Sequence, residues 1–136
     1  MFLIGHSLGG LINLHLSLIP SIDGQILMNP LIETDPETVS SLQITAAKVL
    51  SYILPSIVLG KVEVKDVTSD PYWRKVFEND EKNFSDVTAL SGNRNLQAMK
   101  YVEKITPKIS VPVFLLLGGQ DKISYVEGSK VSCVNN

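Results

Sequence analysis

A short apolar run that leads into a glycine-flanked serine opens the chain, and it limits the possible folds more than any other feature. Residues 2–10 read FLIGHSLGG, so Gly5 and Gly9 lie two positions on either side of Ser7. This G-x-S-x-G spacing is typical of a serine held on a strained turn between a strand and a helix. Because such a turn is tight, we expect little room for side chains at the two glycine positions. The stretch therefore predicts a strand up to the serine and a helix after it.

Two more short apolar runs, at residues 25–28 and 113–117, are similar to the first run at residues 2–4. Continuous apolar runs bounded by turn residues are typical of buried parallel strands. Helices are predicted over residues 9–20, which end at a proline, and over residues 93–107. The second helix carries apolar residues at helical spacing, namely Leu96, Met99, Val102 and Ile105. The alternation of strands and helices predicts the α/β fold class with a parallel sheet.

The middle of the chain, about residues 31–90, interrupts this alternation. Asp35 can cap a helix that carries Pro36 in its first turn and ends before Pro55. One face of this helix is apolar, formed by Leu42, Ala46, Val49 and Ile53 with Val39 and Leu50 beside them. Two interpretations are open: the face packs on the protein's own core, or it is an amphipathic lid over an apolar pocket that also contacts membrane. The stretch ILPSIVLG then carries apolar residues through a loop, and residues 61–82 are predicted to be a solvent-exposed connection.

The glycine-flanked serine predicts a catalytic nucleophile, which needs a base and an orienting acid. In hydrolases with this turn, the acid follows the serine in the chain and lies just after a later strand. Asp121 meets both conditions, because it follows the third apolar run and a Gly-Gly turn. The alternatives are a glycine-rich loop without catalysis at Ser7 and a turn-forming aspartate at Asp121. A phosphate-binding loop is disfavoured because no lysine follows the glycines.

The base is the difficulty, because the chain has only two histidines. His6 adjoins Ser7 on the tight turn and cannot easily aim its ring at that serine. His15 lies eight residues along the helix, about 12 Å from Ser7 along the axis. Proton transfer needs a separation of about 3 Å. Both histidines are therefore predicted to be packing or surface residues.

Composition excludes several other classes of protein. The 12 lysines and arginines are scattered, which argues against a nucleic-acid partner. The single cysteine, Cys133, excludes an internal disulfide framework and a multi-cysteine metal site, and it fits a reducing, cytoplasmic compartment. The apolar runs are too short to span a bilayer, and we expect the first residues not to act as a signal peptide.

Three stretches together resemble the monoacylglycerol lipase family of the α/β-hydrolase superfamily. They are FLIGHSLGG, AAKVLSYILPSIVLG at residues 46–60 and ISVPVFLLLGGQDKIS at residues 109–124. The resemblance implies a partial α/β-hydrolase fold in one domain over residues 1–136, with about three parallel strands, crossover helices and a helical lid inserted at about residues 31–90.

The same resemblance implies a function and its residues. Ser7 would be the nucleophile, Asp121 the triad acid, and the backbone amide of Leu8 one half of an oxyanion hole. The lid would contact the acyl chain and the membrane surface through apolar residues, namely Leu42, Val49, Leu50, Ile53, Ile57 and Leu59. The expected substrate is a lipid ester, a monoacylglycerol cleaved to fatty acid and glycerol, and no metal or organic cofactor is expected.

The chain also departs from the family. The family's catalytic histidine lies downstream of the acid, whereas the chain stops 15 residues after Asp121. The His-Gly loop that completes the oxyanion hole lies upstream of the family's serine. We therefore expect an interior piece of a longer enzyme, inactive by itself. Two alternatives remain open: an inactive lipase-like protein that binds membrane or a partner through the lid, and another superfamily enzyme such as a lysophospholipase, peptidase or acyltransferase.

Overall fold

The computed structural model describes residues 1–34, 40–121 and 123–125. Within them, the strands are β1 (Phe2–His6), β2 (Gly24–Met28), β3 (Val58–Lys61), β4 (Asp86–Thr88) and β5 (Val113–Leu116). The α-helices are α1 (Leu8–Leu16), α2 (Ser41–Ile53), α3 (Val64–Val67), α4 (Pro71–Asn79) and α5 (Ala89–Ile105), and a 3-10 helix covers Thr106–Lys108. The chain divides into two compact units. Met1–Asp35 and Gln97–Asn136 form the first unit, and Pro36–Leu96 forms the second.

The first unit is built on a parallel sheet in the strand order β1-β2-β5. All three strands predicted from the apolar runs are confirmed. His6 is paired with Met28, and Met28 is paired with Leu116. The three strands therefore end at the same edge of the sheet, and the residues that follow each strand lie along that edge.

The two faces of this sheet have different surroundings. Helix α1 packs against β1 and β2, and Gln25 Nε2 donates a hydrogen bond of 2.7 Å to Ser17 Oγ on that side. On the other face, Phe2 and Phe114 are 74% and 60% exposed. The expectation of burial on both faces is therefore wrong for β1 and β5. The reason is that successive side chains of a strand point to opposite faces, and α1 covers one face of this sheet.

Helices α1 and α5 carry the predicted core, but their ends differ from the prediction. Met99, Val102 and Ile105 of α5 are buried, as their spacing predicts. The predicted end of the first helix at Pro20 is wrong, since α1 ends at Leu16 and the next amides donate to carbonyls three residues back.

Helix α5 begins earlier than predicted, at Ala89, because Thr88 and Ser91 form a reciprocal cap. The amide of Thr88 donates to Ser91 Oγ at 3.0 Å, and the amide of Ser91 donates to Thr88 Oγ1 at 3.2 Å. Such a cap satisfies amides that the first turn of a helix leaves without a partner.

In the second unit, α2 begins at Ser41 rather than near Asp35. Ser40 has extended backbone, and it forms a capping box in which its hydroxyl accepts from the Gln43 amide and the Gln43 side chain accepts from the Ser40 amide. The prediction of one continuous helix from Asp35 is therefore wrong at Ser40, where the backbone is extended. The predicted cap itself, at residues 35–39, lies outside the described residues. The helix ends at Ile53, before Pro55, as predicted.

The connection at residues 61–82 is mostly exposed to solvent, as predicted. It contains α3 and α4, and Asp70 caps α4 by accepting from the Tyr72 amide at 2.8 Å. Leu59, predicted to lie in a loop, belongs to β3, which pairs with β4 in an antiparallel two-stranded sheet.

At the junction of β1 and α1, two glycines are closely packed and a third has free space. A β-carbon added at Gly5 would lie 2.5 Å from the carbonyl oxygen of Gly9 and 2.6 Å from Asn13 Nδ2. A β-carbon at Gly10 would lie 2.7 Å from Pro30 Cβ, whereas one at Gly9 would meet no described atom within 4 Å. The expectation of little room is confirmed at Gly5 and wrong at Gly9. Gly10 is the second crowded position because it faces Pro30.

Gly5→Ala and Gly9→Ala form a matched test of this packing. We expect Gly5→Ala to lower the free energy of unfolding by about 1–3 kcal/mol or more, because backbone atoms would have to move. Gly9→Ala lies in a helix with free space, so it should leave stability unchanged or raise it by up to about 1 kcal/mol. Urea denaturation of both variants measures the difference, and equal losses would contradict the crowding at Gly5.

Candidate active site

Ser7 has a strained backbone that is fixed from both sides. Its φ of 51° and ψ of −118° are unusual for a residue with a side chain. Its amide donates to the carbonyl of Met28 at 3.0 Å, and its carbonyl accepts from the amides of Gly10, Leu11 and Leu31. Strained residues held in this way cluster at functional sites.

The Ser7 side chain is not used to cap α1. Ser7 occupies the N-cap position, yet its hydroxyl makes no capping hydrogen bond. Leu8 is the first residue of the helix, and the first amides of a helix have no acceptor within it. These amides form the positive end of the helix dipole. The arrangement thus places the half-buried Ser7 beside the Leu8 amide at the positive end of α1, which suits a negatively charged oxygen.

Asp121 lies in a turn beyond β5 at the same edge of the sheet. Its Oδ1 accepts from the amides of Ile123 at 2.8 Å and Ser124 at 3.0 Å. Its own amide donates to the carbonyl of Gly118 at 3.1 Å. Asp121 therefore forms a turn, as one interpretation predicted. Within the described residues Oδ2 accepts no hydrogen bond, so the turn leaves one carboxylate oxygen for another donor.

Asn29, which the sequence reasoning missed, links the ends of the strands. It follows β2 directly and has a positive φ of 41°. Its amide donates to the carbonyl of Leu116 at 2.9 Å, and its Oδ1 accepts from the Gly118 amide at 2.6 Å. An Asn-Pro pair directly after a strand is a turn signal that could have identified it.

The two histidines occupy the kinds of position that the sequence predicts. His6 is exposed at the end of β1. His15 is half-buried, donates from Nε2 to the carbonyl of Ala98 at 3.1 Å, and stacks on Tyr101 with ring centroids 5.2 Å apart. His15 therefore packs α1 against α5.

In the second unit, α2 turns its apolar face outward. Leu42 and Ile53 are 78% and 68% exposed, and Val49 on the same face is also exposed. The opposite face buries Ala47 and Ser51. The interpretation in which the apolar face packs on the protein's own core is therefore wrong for the described residues.

A buried hydrogen bond lies on the packed face of α2. Asn93 Nδ2 donates to Ser51 Oγ at 2.8 Å, and Ser51 Oγ donates to the carbonyl of Lys48 at 2.7 Å. Turning the helix to bury its apolar face would expose these polar groups or leave them without hydrogen-bond partners. Of the other residues predicted for the lid, Ile57 and Leu59 are exposed and Leu50 is half-buried.

The described residues contain neither a metal-binding cluster nor a membrane-spanning helix. No group of three or more histidine, cysteine, aspartate or glutamate side chains there could hold a metal ion. None of the helices among these residues combines the length and apolar content that a membrane crossing requires.

Comparisons with known proteins give the family of the chain. The Hydrolase_4 family, serine aminopeptidase S33, matches residues 1–133. Monoglyceride lipase of Rattus norvegicus is 33% identical over 132 residues, and that of Homo sapiens is 30% identical over 136 residues. Each alignment covers 95% of this chain and 44% of the relative, so the chain spans less than half the length of these proteins.

Solved structures show the same likeness. The monoacylglycerol lipase of Paleococcus ferrophilus has a TM-score of 0.86 at 29% identity, covering 96% of this chain and 52% of the other. A variant of monoglyceride lipase from Saccharomyces cerevisiae, in complex with a substrate analog, has a TM-score of 0.78 at 25% identity, covering 96% and 47%. The predicted fold class and the predicted resemblance are confirmed. The chain belongs to the Hydrolase_4 family, serine aminopeptidase S33, and carries part of the α/β-hydrolase fold in the form found in monoacylglycerol lipases.

Proposed function

We propose that this chain carries the nucleophile and the acid of a serine hydrolase that cleaves monoacylglycerols to fatty acid and glycerol. The strained backbone of Ser7, with its hydroxyl unused at the first turn of α1, is the observation that carries the proposal. The names of the relatives support the substrate class, since the rat and human proteins are monoglyceride lipases.

In the proposed reaction, Ser7 Oγ attacks the ester carbonyl while a histidine takes its proton. The Leu8 amide donates to the oxyanion that forms, aided by the dipole of α1. The histidine then protonates the departing glycerol, and an activated water releases the fatty acid from Ser7. Asp121 holds the histidine through Oδ2, the oxygen that its turn leaves free. No step needs a metal or an organic cofactor.

We place the histidine and the second oxyanion donor outside residues 1–136. His15 is committed to Ala98 and Tyr101, and His6 directly precedes Ser7 on the turn. The chain matches less than half of its relatives' length, so the missing groups have room in the flanking sequence. We use the term full-length protein for this chain together with the coding sequence that flanks it.

We further propose that the second unit is a lid within a single hydrolase domain. The exposed apolar stripe of α2, formed by Leu42, Ala46, Val49 and Ile53, would meet the acyl chain or a membrane surface. The exposed side chains of Ile57 and Leu59 would add to the same contact.

The family name gives a reason to keep a second candidate. Hydrolase_4 is described as serine aminopeptidase, and a Ser-His-Asp site can cleave amides by the same steps. A substrate panel with a monoacylglycerol, a p-nitrophenyl ester and an aminoacyl p-nitroanilide separates the two. Faster turnover of the anilide than of the monoacylglycerol would favour the peptidase.

Ser7→Ala and Asp121→Asn test the proposed catalytic pair in the full-length protein. We expect Ser7→Ala to lower kcat by several orders of magnitude, and Asp121→Asn to lower it by about 10⁴-fold while the fold stays intact. Ser110→Ala is the control, because this exposed serine precedes β5 at the opposite edge of the sheet. The catalytic assignment fails for either residue whose variant keeps turnover within about tenfold of the parent, a barrier change of about 1.4 kcal/mol.

The lid is tested with Val49→Gln and Ile53→Gln combined in the full-length protein. Each apolar side chain contributes about 1.5–3 kcal/mol when fully moved out of water. We expect binding to phosphatidylcholine vesicles to fall by at least about tenfold, because both residues lie on the exposed stripe. Thr45→Gln with Lys48→Gln is the matched control off the stripe. Equal binding by the two double variants would contradict membrane contact through this face.

The 136-residue chain alone is expected not to hydrolyse esters. Its Ser7 has no histidine within reach as a base. Loss of one oxyanion donor alone costs about 2.7–4 kcal/mol. The open apolar face that includes Phe2 and Phe114 should also make the chain prone to association. The purified chain is offered a monoacylglycerol and a p-nitrophenyl ester beside the full-length protein. Turnover that disappears in Ser7→Ala would show that the chain has its own base.

A further inference from the structure

We infer that Asn29 is a positioning residue that holds the carboxylate of Asp121 in its catalytic place. This inference rests on the proposed function, in which Asp121 orients a histidine. Asn29 touches neither the substrate nor the reacting atoms in that mechanism. It acts through the described residues of the loop that carries Asp121, namely residues 118–121 and 123–124.

Asn29 fastens the beginning of this loop. Its Oδ1 accepts from the amide of Gly118 at 2.6 Å. The carbonyl of the same Gly118 accepts from the Asp121 amide at 3.1 Å. Gly118 therefore links the two residues: its amide is bonded to the Asn29 side chain, and its carbonyl is bonded to the Asp121 amide.

Asn29 also fastens the end of the loop. Its carbonyl accepts from Ser124 Oγ at 3.1 Å, and the Ser124 amide donates to Asp121 Oδ1 at 3.0 Å. Ser124 is buried. Two hydrogen-bonded paths, one through Gly118 and one through Ser124, therefore connect Asp121 to Asn29. The Asn29 amide in turn donates to the carbonyl of Leu116 at the end of β5.

The position has requirements that few residues meet. Its φ of 41° is tolerated by glycine and, among residues with side chains, best by asparagine and aspartate. Only asparagine and aspartate of these three offer a side-chain acceptor to the Gly118 amide. Space is also limited, since a β-carbon on Gly118 would lie 3.2 Å from Asn29 Nδ2.

Asn29→Gly and Asn29→Asp in the full-length protein separate the hydrogen bond from the backbone. Both tolerate the positive φ, but only aspartate keeps the acceptor. A misplacement of about 1 Å at a reacting group can cost about 100-fold in rate, so we expect Asn29→Gly to lower kcat by about that factor with KM unchanged. Asn29→Asp should recover most of this loss. An equal loss in both variants would overturn the inference.

The pH profile distinguishes positioning from a merely structural role. A carboxylate beside a histidine favours the charged imidazolium and raises the pKa of the histidine. If Asp121 moves away, that pKa falls, so the acid limb of kcat/KM should shift to lower pH in Asn29→Gly. A structural defect would lower the amount of active enzyme and leave the limb in place, which would overturn the inference.

Two further variants keep the test decisive. The double variant Asn29→Gly with Asp121→Asn should lose little more kcat than Asp121→Asn alone, because Asn29 acts through Asp121. Additive losses of kcat would count against the inference. If Asn29→Gly does not fold, Ser124→Ala serves in its place, since it removes the hydrogen bond from Ser124 Oγ to the Asn29 carbonyl and should lower kcat and shift the acid limb in the same direction. Normal turnover with an unmoved acid limb in Ser124→Ala would then overturn the inference. Residual activity in Ser7→Ala defeats the proposed function itself, whereas loss there with a normal Asn29→Gly defeats only the inference.

Discussion

The carboxyl end of β2 holds both turns of the candidate site. Met28 offers its carbonyl to the Ser7 amide, and the next residue, Asn29, binds the turn that follows β5. Because β2 is the central strand of the parallel sheet, one strand end fixes the serine on one side and the aspartate on the other. A local disturbance at these two residues would therefore reach both groups at once, although they lie more than a hundred residues apart in the chain.

A buried polar contact lies beneath the outer surface of the second unit. The Ser51–Asn93 hydrogen bond and the small side chain of Ala47 occupy the packed face of α2. Turning the helix over would leave the amide of Asn93 without its partner, a cost of about 1–3 kcal/mol. Burying the apolar side chains of the stripe would gain about 1.5–3 kcal/mol each, so this contact alone does not keep the stripe exposed.

Sequence patterns predicted the elements whose identity depends on hydrophobic periodicity. The three apolar runs became β1, β2 and β5, and the spacing of Met99, Val102 and Ile105 gave the buried face of α5. Helix ends were predicted less well, because they depend on single side-chain caps. Ser40 with Gln43 and Thr88 with Ser91 are short signals that a pattern search for apolar residues passes over.

The candidate site also contains residues that sequence patterns can predict and residues that they cannot. Ser7 and Asp121 could be proposed because chain order and strand ends carry their signal. The Asn-Pro pair marks a turn at Asn29, but the role of Asn29 could not be predicted, since it depends on hydrogen bonds to Gly118 and Ser124, which are distant in sequence. The crowding of Gly10 rather than Gly9 likewise depends on the approach of Pro30, which the local motif does not contain.

The strain at Ser7 shows why the motif is informative only within its fold. A backbone in a sparsely populated region costs about 1–3 kcal/mol. Four hydrogen bonds to the amide and carbonyl of Ser7 oppose that cost, each with a net contribution of about 0.5–1.5 kcal/mol. Their partners are Met28, Gly10, Leu11 and Leu31. Two of these partners come from β2 and the segment after it, so α1 supplies half of the hydrogen bonds that oppose the strain. The geometry of the serine therefore depends on the β1–α1–β2 arrangement, and a glycine-serine-glycine pattern without that arrangement would lack the hydrogen bonds to Met28 and Leu31.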